Sequence, residues 1–186
     1  LPEWRDRMRP KEVGFKFIEK MKLRCDERGI TFLCTAHDET VLAWVDDLDV
    51  AAYKIGSGER GNLPFLKKTA EREKPIILST GRSNMIDIGE AVDAIKSISN
   101  TEIALLHCVS SYPAPIEDLN LKAIQTLKNS FMVPVGYSDH SLGSTAAIVA
   151  VSLGAKIVEK HITLDSSSDG PDHQASMEPE DFKRMV

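Results

Sequence analysis

The chain has 186 residues, 42% hydrophobic and 27% charged, with a formal net charge of −5. That length and balance suit one globular domain with a real core. They argue against a nucleic-acid partner, for which no basic stripe is present, and against a membrane span, since no apolar run approaches about 18 residues.

Read in chain order, helical and strand patterns alternate. A helix is expected near 10–28, closed by Gly29, then a strand at 31–35 (Thr-Phe-Leu-Cys-Thr). A helix near 39–47 leads to a strand at 51–55 that runs out through Lys54-Ile55-Gly56-Ser57-Gly58-Glu59. Asn62 caps a helix at 62–72, and strand 76–79 exits through Ser79-Thr80-Gly81. Asn84 caps a helix at 85–97, strand 103–107 exits through His107 to Pro113, and Asn120 caps a helix at 120–129. Strands at 133–137 and 157–162 flank a helix at 144–153, and a polar loop covers 165–176. Trp4 and Trp44 read as packing residues on helices. Cys25, Cys34 and Cys108 are odd in number and lack a C-x-x-C pair, so reduced thiols in the cytoplasm are expected.

Strict alternation implies parallel strands joined by right-handed crossovers. No G-x-G-x-x-G follows a strand, which weighs against dinucleotide binding. Six strands do not close an eight-stranded barrel, and the first element is a helix with no strand before it. Either about two N-terminal β/α units lie outside this chain, or the sheet is open and doubly wound.

Side-chain parity locates the chemistry, because residues two apart on a strand share a face. Thr35, Lys54, Ser79 and Glu159 each stand at a strand end on the face opposite Tyr53 and Ile55, while Lys160 falls on the outer face. Glycines beside a lysine and hydroxyls suit a phosphate or carboxylate ligand. His140 and His161 close two neighbouring strands, each beside a carboxylate (Asp139, Glu159), so that two imidazoles could grip one divalent metal. His107 reads as structural and Cys108 as a buried thiol. Tyr112 could orient a sugar or pack on its loop, and His37 reads as a helix-entry residue. His173, beside Asp172, could be a third metal ligand or a substrate contact.

The blocks Lys54–Glu59 with Gly61-Asn62, Ile77–Gly81, His107–Pro113 with Glu117-Asp118, Gly136–His140, Glu159–Asp165 and Gly170–His173, in this order, resemble the sialic acid synthase family, and within it the animal branch. The resemblance implies a (β/α)8 TIM barrel, here incomplete at about six β/α units, spanning 1–186 as a catalytic domain. The N-terminal strands and a C-terminal antifreeze-like domain of the family have no counterpart in this chain. It implies condensation of phosphoenolpyruvate with N-acetylmannosamine or its 6-phosphate and release of phosphate. A divalent metal, Mn²⁺ or Mg²⁺, is expected on His140 and His161, which with Glu159 form the catalytic set. Thr35, Lys54, Ser57, Ser79 and Ser138 match the phosphoenolpyruvate site. Glu59, Tyr112 and Asp172 match the sugar site, with Ser110 where some relatives carry Asn. Glu159 would handle the water or serve as a partner of a histidine. The whole protein is expected to be a cytoplasmic homodimer. The rival readings are a truncated, non-catalytic binding product and another metal-dependent aldolase on the same barrel.

Overall fold

The computed structural model describes residues 5, 6, 9 and 12–186; Trp4 and the first two residues of the helix expected at 10–28 lie outside them. Helices α1 (Phe15–Glu27) and α2 (Glu39–Asp47) precede β1 (Tyr53–Ile55). Then follow α3 (Leu63–Ala70), β2 (Ile76–Ser79), α4 (Met85–Lys96), β3 (Ile103–Cys108) and α5 (Ala123–Phe131). The chain continues through β4 (Val135–Asp139), α6 (Thr145–Ser152), β5 (Val158–Lys160) and α7 (Pro179–Met185). The five strands are all parallel and run β1-β2-β3-β4-β5, in chain order. This is a half-barrel of the TIM type rather than a doubly wound sheet.

Local chemistry explains the helix starts. Asp38 accepts the Val41 N–H at 2.8 Å, and Asn62 accepts that of Phe65. Asn84 and Asp87 form a reciprocal capping box at the head of α4. Asn120 does not cap α5: it sits in the left-handed region at φ 41° and makes the preceding turn, with Lys122 at the cap position. Phe15 meets Trp44 edge to face at 6.1 Å, which joins α1 to α2.

Alternation decides the two faces of the sheet. Tyr53, Ile55, Ile76, Leu78, Leu105, Val135 and Tyr137 are buried against the helices. A side chain fully buried in this way contributes about 1.5–3 kcal/mol. The opposite face carries Lys54, Ser79, Cys108, Ser138 and Glu159.

The strands expected at 51–55 and 157–162 shorten to Tyr53–Ile55 and Val158–Lys160, and two further strand expectations are corrected. Segment 31–35 is not a strand. Among the described residues its one link to the sheet is the isolated bridge between Thr35 and Lys54, and a segment beside a three-residue neighbour has little ladder to join. The described residues thus give five strands and a bridge where six strands were expected. The strand expected at 133–137 lies at Val135–Asp139, because Ser138 finds register partners in both β3 and β5 and Asp139 finds one in β5. The far side of β5 is partly covered: Ile162 bridges Met177, whose N–H donates to the His161 carbonyl at 2.9 Å.

Gly136 lets β4 and β5 pack closely. A Cβ there would lie 2.5 Å from the Ile157 carbonyl oxygen and 2.6 Å from Leu106 Cδ2. Gly136→Ala should therefore lower stability by about 1–3 kcal/mol, read as a shift in urea midpoint; an unchanged midpoint would show that the strands part freely. No helix among the described residues is long and apolar enough to cross a membrane.

Candidate active site

A continuous polar chain crosses the C-terminal strand ends. Lys54 Nζ donates to Ser79 Oγ at 2.9 Å and lies 3.3 Å from Glu159 Oε2. The other Glu159 oxygen accepts the Ser138 hydroxyl at 2.6 Å. Ser138 Oγ in turn lies 3.3 Å from His140 Nε2. The parity reading of Lys54, Ser79 and Glu159 on one face is met. Thr35 joins them through its bridge to Lys54. The lysine side chain is 11% exposed and the glutamate 39%, so the open side of the cluster is the glutamate's.

His140 and His161 face one another with ring centroids 5.3 Å apart, nearly perpendicular. The His140 Nδ1–H donates to the Val109 carbonyl at 2.6 Å, which assigns the tautomer and leaves Nε2 as a lone pair. The Ser138 proton is committed to Glu159. Nε2 and Ser138 Oγ therefore meet lone pair to lone pair, an arrangement that a cation satisfies. Burial lowers the His140 pKa and favours the neutral, metal-binding imidazole. Among the described residues no group of three His, Cys, Asp or Glu side chains could hold an ion. The protein would give two imidazoles and leave the other positions to water or substrate, as Mn²⁺ and Mg²⁺ tolerate. Tyr112 roofs the pair, 4.1 Å from the His140 ring and 5.4 Å from that of His161, and remains 45% exposed.

The remaining expected residues fall around this cluster. Ser57 and Glu59 occupy a single 3-10 turn after β1. Glu59 accepts from Asn62 at 3.2 Å and lies 3.5 Å from His37 Nδ1, which gives His37 a contact in the mouth. Ser110 is exposed; its Oγ, Cys108 Sγ and Ser57 Oγ converge on Gly81, where a Cβ would lie 2.5, 2.9 and 3.2 Å from them. Sequence reasoning missed that cradle, although Ser79-Thr80-Gly81 marked its floor. Burial raises the Cys108 thiol pKa, in keeping with an inert thiol. Asp172 is exposed and close enough that its charge, after burial, helps raise the Tyr112 pKa. His173 is engaged elsewhere: its Nδ1 meets Thr163 Oγ1 at 2.7 Å and fastens the polar loop.

His107 is structural, as expected. It stacks on Tyr137 at 5.8 Å, and its Nε2–H donates to the Leu119 carbonyl at 2.7 Å. Burial lowers its pKa below 6.5. The unfolded chain therefore binds more protons than the folded one just below pH 6.5, and stability falls as pH drops through that window. His140 acts in the same direction. His107→Gln should flatten the decline in thermal midpoint between neutral pH and about pH 5. An unaltered slope would remove His107 from the account.

The pattern of the NeuB family matches residues 5–186. The chain belongs to the NeuB family. Among the relatives of this NeuB-family chain is the N,N'-diacetyllegionaminic acid synthase of Campylobacter jejuni, 43% identical over 94% of this chain and 53% of that protein. The human N-acetylneuraminate-9-phosphate synthase is 38% identical over 94% of this chain and 49% of that protein. The chain thus spans about half the length of these curated relatives. The crystal structure of the N-acetylneuraminic acid (sialic acid) synthetase of Leptospira borgpetersenii superposes with a TM-score of 0.93 at 37% identity. It covers 97% of this chain and 63% of that one.

Proposed function

We propose that this NeuB-family chain forms the phosphoenolpyruvate and metal part of a site that condenses phosphoenolpyruvate with an N-acetylmannosamine-type sugar and releases phosphate. The observation that carries the reading is the unbroken chain from Ser79 through Lys54, Glu159 and Ser138 to His140, with His161 alongside. It sets a cation, hydroxyls, a carboxylate and two imidazoles at one rim, which is the donor set this reaction needs.

Lys54, with the hydroxyls of Thr35, Ser57, Ser79 and Ser138, binds the phosphate and carboxylate of phosphoenolpyruvate and turns carbon 3 toward the sugar carbonyl. Orientation of this kind supplies much of the rate in a two-substrate reaction. Glu59, Ser110, Tyr112 and Asp172 line the side from which the sugar enters. A divalent ion, Mn²⁺ or Mg²⁺, held by His140 and His161, would supply Lewis-acid polarisation of the sugar aldehyde. Glu159 accepts a proton from the water that adds at carbon 2, and the tetrahedral intermediate so formed then expels phosphate as its remaining hydroxyl becomes the ketone.

The sugar is N-acetylmannosamine or its 6-phosphate in this reading. The Campylobacter relative favours a second candidate, a sugar that leads to N,N'-diacetyllegionaminic acid. Titration calorimetry should detect phosphoenolpyruvate binding in the presence of Mn²⁺, with Kd between about 1 μM and 1 mM. Phosphate release with each sugar then ranks the substrates. A chain that binds neither Mn²⁺ nor phosphoenolpyruvate would defeat the proposal.

A further inference from the structure

Behind the two histidines, on the helix-facing side of the sheet, lies a charged pair that the proposed chemistry does not use. Asp139 and Lys160 have side chains 0% and 1% exposed, with Lys160 Nζ 2.8 Å from Asp139 Oδ2. Nζ also donates to the Ser141 carbonyl at 2.5 Å. Asp139 Oδ1 accepts both the N–H and the hydroxyl of Ser141, at 2.9 and 2.7 Å. Tyr137, beneath, is held above its ordinary pKa by burial and then by the Asp139 charge. Every charged atom of the pair has a partner.

The placement in the chain is what gives the pair meaning. Asp139 and Lys160 are register partners and form the last rung between β4 and β5. Each immediately precedes a histidine, His140 and His161. The ladder ends at that rung. Beyond it the His140 ring is steered by the Val109 carbonyl. The His161 ring has no hydrogen bond to any described residue, and its backbone is located by Lys160 on one side and by Met177 N–H on the other. A buried ion pair is a poor source of stability, because two well-packed apolar residues do as well or better. An ion pair does fix a length and a direction across the rung, and apolar packing does not.

We infer that Asp139 and Lys160 are positioning residues that set the separation of His140 and His161. The inference rests on the two-histidine metal reading above. It assigns the pair no contact with substrate or metal; the pair acts through the backbone of the two strand ends.

The test is made in the full chain, with Mn²⁺ alone as the probe. The double variant Asp139→Leu/Lys160→Met removes both charges together, so no lone charge remains buried. It should keep its thermal midpoint while its Mn²⁺ affinity falls by about 10- to 100-fold, the range found when groups supporting a metal ligand are lost. Pulsed EPR of bound Mn²⁺ should count two imidazole nitrogens in the wild type and one in the variant. A folded double variant that binds Mn²⁺ as tightly as the wild type, through two imidazoles, overturns the inference. Should the double variant not fold, Lys160→Arg decides. It keeps the charge but changes reach and shape, so weakened Mn²⁺ binding at an unchanged midpoint supports the role and unchanged binding overturns it. A wild-type chain that binds no Mn²⁺ refutes the metal reading itself, and the positioning role with it.

Discussion

Lys54→Ala should lower kcat/KM for phosphoenolpyruvate by about 10²- to 10³-fold, the loss that follows removal of one strong polar contact to a reacting group in a preorganised site. The lysine is the one cation in the polar chain, mostly enclosed, and aimed by Ser79 on one side and Glu159 on the other. Its removal takes away the counter-charge for the anionic substrate. It also leaves the carboxylate of Glu159 facing that anion, so repulsion adds to the lost attraction. Lys54→Arg should recover little, because a planar fork replaces a compact ammonium between two fixed neighbours. The measurement is steady-state phosphate release with saturating sugar and Mn²⁺, with direct calorimetry of phosphoenolpyruvate binding beside it. Retention of wild-type binding by Lys54→Ala would exclude the lysine from the substrate site.

His140→Ala and His161→Ala should each weaken Mn²⁺ binding by more than about 100-fold, since loss of groups that merely support a ligand already costs about 10- to 100-fold. The site has no reserve: among the described residues the two imidazoles have no third protein ligand. His107→Ala and His173→Ala are the informative controls. The first removes a ring bonded to the Leu119 carbonyl and the second a ring bonded to Thr163, so neither should alter Mn²⁺ affinity. Equal losses in all four variants would mean that folding, not ligation, is being measured.

Much of this site was legible because it follows from strand parity. Once Tyr53 and Ile55 are core, Lys54 must face the other way, and the same reasoning places Ser79 and Glu159. The capping residues Asn62 and Asn84 announced their helices for equally local reasons. Features that depend on a partner elsewhere were not legible. Segment 31–35 has the composition of a strand, but a strand exists only through its neighbour, and its neighbour is short. Lys160 looked like a stray charge on the outer face, because its pairing with Asp139 depends on the register of β4 against β5. Nothing in the residue string announces that the Val109 carbonyl will select the tautomer of His140. The convergence of Ser57, Cys108 and Ser110 on Gly81 joins three separate loops and strands, and no local pattern encodes it.

Strand order in space equals strand order in the chain. A growing polypeptide can therefore add each strand to the one already laid down, and no strand has to be inserted between two others. Each crossover must still close before its strand can pair, so parallel pairing of this kind is slow even in sequential order. The same layout makes the polar cluster late to assemble among the described strands. Lys54 emerges with the first strand and its carboxylate partner with the last, so most of the sheet is built around a cation that has no counterpart. The nascent chain thus gains this sheet progressively but the polar cluster in one step, when β5 docks and brings Glu159 and His161 to the rim together.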